Sequence, residues 1–244
     1  MNYILLIREL SMKKIQYIAL ILIALTAVSS LYAEENEQTI EELYLQSQVK
    51  VKIIKAEADS IDRDMKIIAL QDIEEMIGDG QVSPSDKQML GILANLGSEG
   101  ISNQVIEQGS VINNYPMVRK EACRLLGEVG GDYARDALVN VLISDNEPMV
   151  MSEAVVALSK VGPDEQGIVI AVLADSMRSQ TALNKDNNFA NAFILAIDNL
   201  AVNSEGIDDL RIFEELTKIA DPRSGYITVV RKKAFELLKN LQNF

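Results

Sequence analysis

Few side chains here could do chemistry, and the missing types narrow the choice first. The 244-residue chain has no histidine, which removes imidazole acid–base pairs, Ser-His triads and His-ligated metal sites. Its one cysteine, Cys123, can form no intramolecular disulfide or multi-cysteine zinc site. With no imidazole to act as its base, it reads as a small buried hydrophobe rather than a nucleophile. Adjacent carboxylates at Glu74/Glu75, Asp208/Asp209 and Glu214/Glu215 are the residue type that glycoside hydrolysis needs. They fall on the polar faces of amphipathic segments with no sugar-stacking aromatic cluster, so they read as solvated surface. Asp79-Gly80-Gln81-Val82-Ser83-Pro84-Ser85 has the outline of a calcium loop, but Leu90 stands where an EF-hand places its bidentate acid. A helix-breaking turn accounts for it. Gly127-Glu128-Val129-Gly130-Gly131-Asp132 is glycine-rich, yet it follows a helical pattern and lacks the Lys-Ser/Thr of a phosphate loop. Catalytic, cofactor-binding and metal-binding residues are all expected to be absent.

Composition points the same way. Lys and Arg number 23 against 36 Asp and Glu, a net charge of −13, which disfavours nucleic acid because affinity for it rests on cationic neutralisation of phosphates. Tryptophan is absent and aromatics make up 5%, leaving little for stacking on bases or sugars. The one basic cluster, Arg231-Lys232-Lys233 with Lys239, suits an acidic neighbour or a helix C-terminus better than a polyanion.

The elements that would position any site begin after a leader. Lys13 and Lys14 precede an apolar stretch from Ile15 to Val28, followed by Ser29-Ser30-Leu31-Tyr32-Ala33 and an acidic run, Glu34-Glu35-Asn36-Glu37. Positive, apolar and small-residue regions in that order make a secretory signal peptide over 1–33, cut after Ala33. Met12-Lys13-Lys14 is itself an ordinary leader start, which reads residues 1–11 as an over-extended beginning. The apolar stretch is shorter than the roughly 20 residues a spanning helix wants. An exported chain without stable membrane insertion is expected, in the bacterial periplasm or envelope or secreted.

Beyond the leader the chain repeats. Pro116-Met117-Val118 to Gly130 lies over Pro148-Met149-Val150 to Gly162, with Pro, Met, Val, Glu, Ala, Leu, Val and Gly coinciding. Met89–Gly97 aligns one step earlier, and two weaker copies follow around Phe189–Leu200 and Val230–Leu241. Within each copy the apolar positions make a helical stripe. Gly97, Gly130 and Gly162 stand where a helix C-cap favours glycine, and Pro116 and Pro148 sit just inside helix starts. Asn114 and Asn146 precede them at N-cap-like spacing. Second helices are expected over Ile101–Val111, Tyr133–Ile143, Glu165–Met177 and Ile207–Ile219. Residues 34–84 read as an N-terminal helical cap or divergent first repeat, with helices over 38–57 and 62–78, and 85–244 as the repeat array. Glu34–Glu42 reads as a frayed acidic tail. Arg178–Asn188 and Asp221–Tyr226 read as its longest polar breaks.

The Asn-x-Pro-x-Val-Arg-x-x-Ala-x-x-x-Leu-Gly-x-x-Gly pattern at 114–130, echoed at 146–162 and by Val230-Arg231-Lys232-Lys233-Ala234, resembles HEAT repeats of the short bacterial type, the variety also seen in phycobilisome lyase subunits. The resemblance covers about residues 85–242. It implies an all-α, right-handed α-solenoid with first helices on the convex side and second helices on the concave side. Arg119 is matched by Arg231 but becomes Met151 in the intervening unit, so an interhelical arginine ladder would break there. The resemblance further implies a protein-binding concave face lined by Asn103, Gln104, Glu107, Tyr133, Arg135, Asp136, Asn140 and Gln166. The expected function is that of a non-enzymatic scaffold that holds a protein partner. Two other roles stay open: an accessory subunit presenting a protein substrate to an enzyme, and a self-associating structural component of the envelope.

Overall fold

The computed structural model describes residues 40–183, 185–204 and 206–242. The expected signal peptide at 1–33 and acidic residues 34–39 lie outside the described residues, as do the side chains of Ile40, Leu43 and Tyr44. The chain divides into two units, 1–50 and 51–244. Within the first, the described residues are helical from Ile40 onward, so the acidic stretch ends inside a helix rather than in a tail.

Ten helices and one small hairpin are present among the described residues. The helices are α1 (Ile40–Ala58), α2 (Arg63–Gly78), α3 (Lys87–Gly97), α4 (Pro116–Val129), α5 (Gly131–Ser144), α6 (Pro148–Val161), α7 (Ile168–Leu183), α8 (Asn187–Asn203), α9 (Leu210–Ala220) and α10 (Thr228–Leu241). The hairpin strands are β1 (Ile106–Glu107) and β2 (Ser110–Val111). Local chemistry explains several helix ends. Asp62, Asp86, Asp186 and Asp209 accept first-turn N–H groups of α2, α3, α8 and α9, satisfying donors the helix itself cannot. Pro116 and Pro148 open α4 and α6. Gly130 and Gly162, at φ 72° and 97°, end those two helices in a left-handed conformation that a side chain would strain.

Within residues 51–244 the helices form two layers. α2, α4, α6, α8 and α10 pack successively in one, and α3, α5, α7 and α9 in the other. A continuous apolar core runs between them, from Ile54 and Ala69 through Leu93, Leu126, Leu158 and Phe193 to Leu241. No single hairpin could cover both of its apolar faces, and each neighbour supplies the missing cover, which is the logic of a helical solenoid. At Gly127 the layer tightens: a β-carbon there would stand 2.7 Å from the Ala157 β-carbon, so α4 and α6 approach to backbone distance.

The layering corrects several expectations. Met89–Gly97 does not take the place of α4 in its unit; α3 lies in the second layer, beside α5. Gly97 is not a cap but a buried helical residue against Val141, Ala122 and Leu126. The helix expected over Ile101–Val111 is absent. Residues 98–115 instead form a looped insertion whose hairpin turns at Gln108 and Gly109, both at positive φ, the geometry of a two-residue turn. Buried Asn113 organises this loop: its Nδ2 donates to Glu99 Oε1 (2.7 Å) and Asn103 O (2.6 Å), while its Oδ1 accepts from Val105 N (2.8 Å). Lys66, from α2, reaches Glu99 Oε2 at 3.1 Å and donates to Ala58 O at 2.7 Å. Asparagine here satisfies loop backbone that a helix would have satisfied internally.

Asn114 and Asn146 are not N-caps. Tyr115 and Glu147 hold those positions without side-chain bonds, and Asn114 Oδ1 accepts from Arg119 Nη1 instead (2.7 Å). α7 starts later than expected because Gly167 is at φ 69° and the Asp164 carboxylate takes the Ile168 and Val169 N–H groups. Nor is Arg178–Asn188 a loop. α7 runs to Leu183, with Gln180 buried against Met151 and Thr181 hydrogen-bonded to Tyr226. Gln180 and Thr181 make tertiary contacts, which composition cannot distinguish from solvated positions.

Candidate surface site on the second layer

The expected binding residues divide among three places. Tyr133, Arg135, Asp136 and Asn140 lie on α5; Gln166 lies in the turn before α7; Asn103, Gln104 and Glu107 lie on the insertion and not on a second helix. Seven of the eight are exposed, and Arg135 is partly covered, donating to Asp132 at 2.7 Å. On α5, Ala134, Leu138, Val141 and Leu142 face the core, so Asp136, Asn140 and Ile143 point outward by helical periodicity. Tyr133 leans towards α3: its hydroxyl oxygen is the nearest atom to the β-carbon position of Gly91, at 3.7 Å.

Two open grooves run beside α5. One, of about 380 Å³, lies against α3 and is lined by Asn95, Ser98, Ser102, Asn140 and Ser144. The other, of about 430 Å³, lies against α7 and is lined by Asn146, Met151, Asp175, Ser179 and Gln180. Ile143 stands on the rim of both and is 67% exposed. The linings offer hydroxyls, amides and the carboxylates of Asp145 and Asp175 around an apolar knob, a mixture that accepts and donates hydrogen bonds to a peptide or helix surface. Asn140 was legible in the sequence as a polar second-helix position. Ile143 was not singled out, although it stands off the Ala134–Leu138–Val141 stripe and could have been noticed as an apolar residue with no core to face.

Beneath the grooves is a rigid support. Arg119 on α4 and Asp145, between α5 and α6, are paired with Nε–Oδ2 at 2.6 Å and side-chain exposures of 2% and 1%. The guanidinium also donates to Glu99 O (3.1 Å) and Asn114 Oδ1 (2.7 Å), tying the insertion to the second-layer turn. Asp145 Oδ1 in turn accepts from Glu147 N at 2.9 Å. In the next unit Met151 takes the arginine's position and its sulfur accepts from Gln180 Nε2 (2.9 Å). The ladder therefore changes chemistry at that step.

Elsewhere, Cys123 is fully buried. Burial pushes its thiol far above the ordinary range, the charges of Asp145 and Glu153 add to the rise, and Arg119 opposes it. Among the described residues no group of three His, Cys, Asp or Glu side chains could hold a metal ion, and no helix is long and apolar enough to cross a membrane.

Residues 111–184 match the family model for HEAT repeats. This is the stretch from β2 to the end of α7, and it takes in the two hairpins α4–α5 and α6–α7. Repeats of this kind mediate protein–protein interaction. No curated protein matches the chain.

Proposed function

We propose that this protein is an exported, non-enzymatic HEAT-type scaffold that holds a protein partner against its second-layer helices. The observation that carries the reading is the pair of grooves flanking exposed Ile143 on helices that match HEAT repeats. An extended or helical partner segment would seat an apolar side chain beside Ile143 and spend its polar groups on Asn140, Ser144 and Ser179. Asp136 and Tyr133 extend the same face. In keeping with the sequence resemblance, the stack is read as a right-handed solenoid with this layer on its concave side. The leader-like residues 1–33 support delivery to the bacterial periplasm or envelope, and the absence of histidine supports a role without catalysis.

Affinity capture from envelope extract, comparing wild type with Ile143→Asp and Asn140→Lys, tests the assignment. A partner lost from both variants but kept by the first-layer control Lys160→Glu supports it. Retention of every captured protein by both variants defeats it. Mass spectrometry of the mature N-terminus tests export, since recovery of intact residues 12–33 contradicts leader removal.

A further inference from the structure

In the first layer, Gly127 of α4 meets Ala157 of α6, and Arg119, Cys123 and Leu126, earlier on α4, are also buried. α10 has the same register, with Val230 and Ala234 buried as Val118 and Ala122 are. Its corresponding residues are Arg231, Phe235, Leu238 and Lys239, and here the face is open. Phe235 is 53% exposed, with Lys239 Nζ 4.6 Å from its ring centroid. Asn191 of α8 binds Lys233, on the other flank of the helix, so α8 does not cover this side. Arg119 Nε meets Asp145, whereas Arg231 donates locally, from Nη1 to Pro222 O (3.1 Å) and from Nη2 to Thr228 Oγ1 (3.0 Å), and its Nε is buried without a partner.

The opposite end of the layer shows the reverse surface. α2 has the register of α6, with Lys66, Ala69, Leu70 and Ile73 buried as Met151, Ala154, Val155 and Leu158 are. Val150 and Ala157 are buried in α6, and Ala157 is the residue against Gly127. Their counterparts on α2 are Met65, 36% exposed, and Asp72, partly exposed. Ile68, 41% exposed, lies on the same side.

One end therefore presents Phe235 with Lys239, and the other presents Met65 and Ile68 with Asp72. Both are in the register of the internal α4–α6 contact. We infer that copies of this chain associate head to tail, α10 of one packing on α2 of the next. Phe235 then faces Ile68, and Lys239 and Asp72 stand where Gly127 and Ala157 stand inside the stack, an ion pair replacing close backbone approach. The charge complementarity selects a second copy as the occupant: a chain of net charge −13 repels itself on average, and opposed charges at the two ends offset that repulsion locally. A heterologous contact of this kind leaves both outer ends free and so propagates.

Sedimentation equilibrium on the full chain tests this. Mass should rise with concentration past the dimer, or to a closed ring. Phe235→Asp, which alters an exposed side chain and should keep the helical circular dichroism, should abolish the rise. Asp72→Lys and Lys239→Asp should each weaken association about tenfold, and the two combined should restore it. Three results overturn the inference: a monomer up to about 1 mM, a mass that stops at the dimer, or association that persists in Phe235→Asp. The last points instead to contact through the apolar stretch 15–28. These variants leave Ile143 and its grooves untouched, so failure here is distinguishable from failure of the scaffold reading.

Discussion

Replacing Arg119 by methionine, the residue the chain itself uses at the same position one unit later, isolates the buried charge pair. The substitution removes the 2.6 Å bond to Asp145 and the donors to Glu99 O and Asn114 Oδ1. Asp145, with 1% side-chain exposure, keeps only the Glu147 N–H. An uncompensated buried carboxylate costs about 3–5 kcal/mol. Methionine packing recovers little of that, because the cost lies on Asp145 and not in lost volume. With a urea dependence of about 2–3 kcal/mol per M for a unit of this size, the unfolding midpoint should fall by about 1–2 M. Adding Asp145→Asn removes the stranded charge while keeping an acceptor for Glu147 N. The double variant should return to within about 1 kcal/mol of wild type. Urea titration followed by circular dichroism reads both values. If Arg119→Met costs less than about 1 kcal/mol, or the double variant is no more stable than the single, the stranded charge is not what the arginine prevents.

Other expectations follow from single sites. Gly127→Ala places a methyl 2.7 Å from the Ala157 β-carbon and should cost about 1–3 kcal/mol by overpacking. Gly91→Ala, whose nearest neighbour is the Tyr133 hydroxyl at 3.7 Å, should stabilise by up to about 1 kcal/mol through helix propensity; equal thermal shifts for the two would contradict the α4–α6 geometry. Cys123, its thiol pushed upward by burial, should resist iodoacetamide in the native protein and react on unfolding, as mass spectrometry will show. Burial pushes the Asp164 carboxyl upward, but the N–H groups of Val169 and Ile168, its own N–H and the charge of Arg135 outweigh this and set it below its ordinary value of 3.8. Its stabilising contribution is therefore full above that value and lost as pH falls through the lower folded one. Asp164→Ala should cost about 0.5–2 kcal/mol at pH 7, and its deficit should shrink in acid. A deficit that is constant from pH 7 to acid counts against the cap.

Much of the repeat was legible because its signals are local. Pro116 and Pro148 at helix starts, glycines at 130 and 162, and the stripe Ala134–Leu138–Val141 each state a backbone conformation or a buried face within a turn or two. The errors came where local signals are shared by two outcomes. Met89–Gly97 has the same stripe in either layer, so periodicity could not say which layer α3 joins. Val105 to Val111 offers enough apolar residues for a helix, but Gly100, Gln108-Gly109 and the bonds of Asn113 assemble a loop. Of the expected binding residues, those on α5 share the exposed second-layer face, whereas Asn103, Gln104 and Glu107 came from the misread helix.

Residue types and their order dictated a helical repeat and left no imidazole chemistry to consider. They also set the starts of α2, α3, α8 and α9 at aspartate caps and the ends of α4 and α6 at Gly130 and Gly162, since caps and glycines act through bonds only a few residues long. Which polar groups lie buried was settled by packing across the layers. Arg119 and Arg231 share a Val-Arg-Lys-x-Ala frame, yet one meets Asp145 in a sealed interior and the other donates to Pro222 O and Thr228 Oγ1 beside its own helix. The difference is made by the next helix, because a neighbour's cover decides whether a charge is solvated, paired across the layers or bonded close to its own helix.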